Sequence, residues 1–220
     1  MPAIRRSRRS ALIGATSMII IPLLATGCAV GNRHRYDSVT AHINMSGDRT
    51  VAAATHDQRE YVRTGDKSPT FVGLQRGGYG NPFDVNTASG EALATDMTNS
   101  IVSSLAAKGF RTTAVIVTPE ASEKVALEKL RETSAERLLL LTLLEWKTDT
   151  FNNTALTYDV SLKVFDQNGS ELARKTIQGR DHLGGSFWNP PSHAKKVVPS
   201  AFAQKLEILF SDPEIERSLR

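Results

Sequence analysis

The sequence predicts a single α+β domain in which helices pack on one face of a mostly antiparallel sheet, and three observations carry that expectation. Apolar residues recur every fourth position through Leu93, Met97, Ile101 and Leu105, the repeat of a helix with one buried stripe. They alternate through Leu156, Tyr158, Val160, Leu162 and Val164, the repeat of a half-buried strand. Strands and helices are mingled in the first part of the chain, and a run of three strands followed by a last helix closes it, an order that suits one layered domain.

Residues 1–27 have the layout of an export signal. Arg5, Arg6, Arg8 and Arg9 precede an apolar run over 11–25, and the small residues Thr26 and Gly27 follow. Gly14, Thr16, Ser17 and Pro22 interrupt the run, and a membrane-crossing helix needs roughly 20 apolar residues. Cleavage is therefore expected rather than insertion. Cys28 stands directly after this segment and is the only cysteine in the chain, with no disulfide partner and no ligand cluster beside it. The folded part must be stabilised by packing alone.

Leu24-Ala25-Thr26-Gly27-Cys28 resembles the lipobox of bacterial prolipoproteins, with Ala25 where leucine is commonest. The resemblance implies cleavage before Cys28, diacylglycerol and N-acyl chains on its thiol and new amino terminus, and attachment to a membrane through them. Ser7-Arg8-Arg9 is similar to a twin-arginine signal, but Ala11 and Leu12 replace its bulky apolar pair, so Sec export is expected. Ala29 follows the cysteine where inner-membrane retention uses aspartate, which implies the outer membrane, facing the periplasm.

Charge narrows the partners. The chain holds 27 Lys+Arg against 23 Asp+Glu, but four of the basic residues lie in the expected signal, which leaves 23 against 23. A neutral exported domain is not expected to bind nucleic acid.

Residues 28–48 are polar with no sustained period and are expected to be the lipidated cysteine and a flexible tether, leaving 49–220 as the periplasmic domain. Strands are expected at 50–56, through Val51, Ala52, Ala53 and Ala54, and at 60–63. Gly65, Gly73, Gly77, Gly78, Gly80, Pro69 and Pro82 punctuate 65–87, which predicts a long loop with at most a short strand at Phe71-Val72-Gly73-Leu74. The first helix follows, capped by Thr87 or Ser89 and closed at Lys108-Gly109. A strand is expected over 110–117. Thr118-Pro119-Glu120 offers a cap, a first-turn proline and an acid for a second helix running to about Glu132.

The leucine run from Arg137 to Trp146 lacks polar alternation until Glu145, as a central strand covered on both faces would, while leucine leaves a helix open there as well. The alternating strand at 156–164 turns at Asp166-Gln167-Asn168-Gly169 and returns over 171–178. A loop carrying Trp188 follows over 179–191. The last helix buries Val198, Ala201, Phe202, Lys205, Leu206, Leu209 and Phe210, and starts or kinks at Pro199.

Catalytic chemistry finds no pattern to rest on, so no enzyme, no metal and no cofactor are expected. His34, His42, His56, His182 and His193 lack ligand spacing, and Ser186 lacks the elbow of a hydrolase nucleophile. Arg76-Gly77-Gly78-Tyr79-Gly80 does not open directly into a helix as a phosphate cradle must. Two groups remain as candidates. Phe71, Leu74, Arg76, Tyr79 and Phe83 are residue types that anchor interfaces and would form a partner surface on the glycine-rich loop. Asp57 and Arg59, two apart on an extended chain, share a side; they could pair with each other or supply polar contacts to a ligand.

The lipobox, the first strand ending in Asp57-x-Arg59, the helix closed by Lys108-Gly109-Phe110 and the late hairpin with Asn-Gly in its turn together resemble the YajG-type family of bacterial lipoproteins. The likeness spans residues 28–178, and the long glycine loop departs from that family's shorter connection. It implies a fold and a location rather than an activity. The expected function is a non-enzymatic, lipid-anchored envelope protein that binds or helps assemble another envelope component. The alternative is a periplasmic domain that binds a small molecule or cell-wall fragment through Asp57 and Arg59.

Overall fold

The computed structural model describes residues 32–220; the expected export signal and Cys28 lie outside the described residues. Eight strands and five helices follow in the order β1 (Arg33–His34), β2 (Thr50–Asp57), α1 (Glu60–Arg63), β3 (Phe71–Arg76), β4 (Pro82–Thr87), α2 (Leu93–Ala106), β5 (Arg111–Ala114), α3 (Glu123–Arg131), β6 (Arg137–Thr150), β7 (Asn153–Asp166), β8 (Glu171–Gly185), α4 (Pro190–Phe210) and α5 (Pro213–Leu219). One α+β domain results, as expected, but its sheet is mixed rather than mostly antiparallel.

The reason lies in the connections. α2 lies between β2 and β5 in the chain, α3 lies between β5 and β6, and crossovers of that length allow parallel pairing. β2 accordingly runs parallel to both β5 and β6. Only the short connections, β3–β4, β6–β7 and β7–β8, make antiparallel pairs.

β6 organises the whole. Along one edge it pairs with β7 from end to end. Its other edge is shared: β2 occupies Arg137 to Leu143, and β3 takes over from Thr148 to Thr150. The uninterrupted leucines explain the position, because Leu139 and Leu141 face one core while Leu138 and Leu140 face another.

These two cores correct the expectation of helices on one face. The larger contains α2, α4 and α5, with Val51 and Ala53 of β2. The smaller contains Ala126 and Leu130 of α3 on the opposite face, against Ala52, Ala54 and Phe165. Small alanines along β2 let helices approach from both sides.

Residues 32–48 are not a tether in this fold. Ala41, Ile43 and Met45 are buried in alternation with exposed His42, Asn44 and Ser46, and Tyr36 is fully buried. The Trp146 indole N–H donates to the Tyr36 hydroxyl at 3.1 Å, and both rings pack edge-on against Phe202.

Other boundaries move for local reasons. Residues 60–63 form the single-turn helix α1 rather than a strand. The expected long loop contains the β3–β4 hairpin: Gly73 sits inside β3 because a side chain there would meet Thr148 Oγ1 and its carbonyl, and Gly80 turns with φ +82°. α2 begins after Ala92 with no side-chain cap; Ser89 instead donates to Asp96. α3 begins after Ser122, whose hydroxyl accepts from the Val125 N–H, so Pro119 lies before the helix. β8 continues to Gly185, and α4 starts at Pro190 under an Asn189 cap and passes through Pro199.

Candidate functional site

The Asp57–Arg59 pair occupies the place where the free edge of β6 passes from β2 to β3. β2 ends at Asp57, the β6 backbone shifts register between Leu143 and Glu145, and a gap opens in the ladder. Arg59 fills it. Its Nε and Nη2 donate to the two Asp57 carboxylate oxygens at 2.8 and 2.6 Å. Nη1 donates to the carbonyls of Phe71 and Trp146, at 2.6 and 3.4 Å, and Nη2 reaches the Pro69 carbonyl at 3.5 Å.

A guanidinium has five N–H donors, and five internal acceptors surround this one. The arginine side chain is wholly inaccessible to solvent and the aspartate nearly so. The pair thus supplies the hydrogen bonds that strand pairing would supply elsewhere. It presents no free donor to a ligand, so the contact role weighed for Asp57 and Arg59 is not available to them in this conformation. Tyr61 covers the guanidinium at 5.5 Å and donates to Glu145 at 2.6 Å.

The five residues expected to form a partner surface are dispersed by the β3–β4 hairpin. Phe71 is buried and packs edge-on against Tyr61. Leu74 and Phe83 are half-buried. Arg76 forks onto Asp149 of β6, its Nε and Nη2 donating at 2.8 and 2.6 Å. Only Tyr79 stands fully in solvent, at the hairpin tip.

Three further aromatic residues share that end of the molecule. Gln75 of β3 pairs with Thr150, the last residue of β6, so the tip of the β3–β4 turn lies beside the β6–β7 turn that carries Phe151. Asn153 of β7 pairs with Gly185, the last residue of β8, and the Ser186 N–H donates to the Asn152 carbonyl, which brings Phe187 and Trp188 to the same end. Phe187 is 80 % and Trp188 91 % exposed, while Phe151 is 43 % exposed. Two adjacent aromatics between Gly-Gly-Ser and Asn-Pro-Pro, with no apolar period around them, are the signal that marks this pair in the sequence.

Buried titratable groups occur near the amino-terminal strand. His34 is buried with no hydrogen-bond partner on either ring nitrogen; burial first, and then the charge of Lys195, lower its pKa to about 4. Burial raises Asp96 to about 6 against the Ser89 hydroxyl that favours its charged form, with Asp37 and Glu91 adding repulsion. The five histidines are not gathered: His56 shares Ala121 and Gln58, and His193 meets the Leu183 carbonyl. Among the described residues no three His, Asp or Glu side chains converge as metal ligands, and no helix is long and apolar enough to cross a membrane.

No family model matches the chain, and no curated protein does. Solved structures with partly similar folds include protein XCC0632 from Xanthomonas campestris, at 14 % identity and TM-score 0.49, covering 86 % of this chain and 95 % of that one. Another is the PelC dodecamer from Paraburkholderia phytofirmans, at 19 % identity and TM-score 0.37, covering 79 % and 94 %. A third is lipoprotein GNA1162 from Neisseria meningitidis, at 14 % identity and TM-score 0.30, covering 71 % and 99 %. One of these three is a lipoprotein by name, and none bears the YajG name.

Proposed function

We propose that this chain is a non-enzymatic, lipid-anchored protein of the bacterial envelope, whose α+β domain binds or helps assemble another envelope component from the periplasmic side of the outer membrane. One observation carries the reading: the only cysteine of the chain stands at the end of an export signal, in a string that resembles a lipobox. The fold supports it, since Asp57 and Arg59 are committed to closing the sheet and leave the domain to act through its surface.

Growth with labelled palmitate, followed by fractionation on a density gradient, tests the anchor. Label in the wild-type chain at outer-membrane density, with loss of label and release of the protein in Cys28→Ser, is the expected result. Unlabelled protein, or unchanged membrane fractionation of Cys28→Ser, would refute it. In-cell crosslinking of the lipidated protein tests the second half, and a chain that crosslinks only to lipid would remove the assembly role.

A further inference from the structure

We propose that the end of the sheet bearing Tyr79, Phe151, Phe187 and Trp188 is a membrane-seating surface that lies in the headgroup region of an anionic phospholipid bilayer. The inference rests on the anchor at Cys28 proposed above.

Two independent placements meet at this end. The first is that of the aromatics. Among the described residues, these four are the aromatic members of the exposed large hydrophobics, and the register brings all of them to one end. The second is the point where the chain joins the fold. β1 runs parallel to β4, with Arg33 beside Asn86, so the chain arrives from the Pro82 side, which is the side of the β3–β4 turn. Asn32 donates to Gln75 at 3.3 Å, and Gln75 in turn donates to the carbonyl of Thr150, the residue before Phe151. The first described residue therefore sits beside the aromatic end. Cys28 is four residues earlier, and four residues of extended chain span at most about 14 Å. An acyl anchor on Cys28 holds this end, and no other, against the bilayer.

The chemistry of the surface suits that neighbour. Tryptophan and tyrosine favour the boundary between hydrocarbon and headgroups, where an apolar ring can be buried while its N–H or O–H stays solvated. Phe187 and Trp188 stand edge to face, with centroids 5.4 Å apart. They project from a built turn: Gly184 takes φ +76°, the Asn189 N–H donates to Ser186 Oγ at 3.1 Å, and Asn189 caps α4. Charge agrees as well. Between Asp181 and Glu207 the sequence contains no acidic residue, while Lys195 and Lys196 are exposed on the first turns of α4, and Arg33 and Arg35 are exposed on and just after β1. Cations beside a membrane surface are drawn to anionic headgroups.

Fluorescence can test this directly, because the chain has two tryptophans and Trp146 is buried. Trp188 alone responds to its surroundings. The lipidated protein is reconstituted into phosphatidylethanolamine vesicles containing phosphatidylglycerol, with bromine on the acyl chains near the headgroups in a parallel sample. The expected result is a blue shift of Trp188 emission, quenching by the brominated lipid and protection from acrylamide. Protein that carries the acyl chains and stays on the vesicles while Trp188 remains as open to acrylamide as in solution would overturn the seating surface and leave the anchor standing.

A second arm is independent of the anchor. The chain from Ala29 onward contains the whole described fold, and its partition onto the same vesicles should fall at least about tenfold in Trp188→Ser with Phe187→Ser, the loss expected for removing one or two buried aromatic groups. Equal partition of that variant and the parent would overturn the proposal. So would aromatic variants that bind vesicles normally but lose a protein crosslink, which would assign this end to a protein partner. Failure of palmitate labelling alone would refute the anchor and leave this arm to decide the surface.

Discussion

Two regions of the molecule use the same side-chain fork. At the gap in the sheet, Arg59 grips Asp57 through Nε and Nη2 at 2.8 and 2.6 Å; at the hairpin end, Arg76 grips Asp149 through the same atoms at the same distances. The geometry is equal and the setting is not, since the first pair is buried and the side chains of the second are 38 % and 29 % exposed. Bond lengths therefore do not rank the two. What ranks them is the state left behind when one partner is removed: at the surface, water replaces the carboxylate, while in the interior a cation is stranded beside carbonyls it must still satisfy.

The largest effect should come from stranding that cation. Asp57→Ala is expected to cost about 3–5 kcal/mol, measured as a lower urea midpoint. Arg59→Met combined with Asp57→Asn should recover part of the loss, because no buried charge remains, though the Phe71 carbonyl then loses the guanidinium and the Trp146 carbonyl keeps only Tyr61 as a side-chain donor. A double variant no better than Asp57→Ala would show that the carbonyls, and not the charge, dominate.

Next in size is Gly73→Ala, on the β3 side of the same gap. Its new Cβ would lie 2.0 Å from Thr148 Oγ1 and 2.4 Å from the Thr148 carbonyl, so β3 must move away from β6. A loss of about 2–3 kcal/mol is expected in the same unfolding measurement. A near-neutral result would mean that β3 is held by its pairing with β4 rather than by β6.

Burial of Asp96 and His34 should appear as pH dependence. Asp96 has a folded pKa of about 6, above its ordinary 3.8, so its contribution to stability declines as pH rises through that window. His34 is lowered from 6.5 to about 4, so its contribution is lost as pH falls through that range. The two slopes oppose each other. Asp96→Asn should expose the histidine slope, giving stability that rises from pH 4 to 6.5 more steeply than in the wild type, and thermal unfolding at several pH values would reveal it. Identical pH profiles for the two proteins would count against a raised Asp96.

The smallest change is expected from Asp149→Ala, below about 1 kcal/mol, since exposed pairs are screened by water and salt. A loss approaching that of Asp57→Ala would break the comparison and make the hairpin end as dependent on its fork as the interior.

How much of this could be read in the sequence varied with the signal each element carried. α2 and β7 rest on apolar repeats and β6 on an unbroken leucine run, and each lies where its signal places it, while β8 runs past its expected end to Gly185. Residues 32–48 carry a weaker one. Ala41, Ile43 and Met45 do alternate, but three residues among polar neighbours resemble a linker, and the partners that bury them come from α2 and α4 far along the chain. The hairpin at 71–87 was obscured by its glycines and prolines, which read as breaks although Gly73 serves a close approach to Thr148. Placement of α3 on the second face depends on which way a crossover turns, and no local repeat records that. Of the site residues, Asp57 and Arg59 announce a pair by their spacing, whereas its burial depends on the switch of partners along β6.

That shared edge has a consequence for the order in which the chain can assemble. β2 and β3 leave the ribosome long before β6, the strand both must pair with, since Val51 waits for Arg137 and Gly73 for Thr148. Until about residue 150 has emerged, β2 has only β5 and β3 only β4 to pair with, and the strand that joins the two pairs is missing. Contacts so distant in sequence slow folding. On the export route proposed above, the delay would keep the nascent chain extended during the interval in which a translocase needs it threadable.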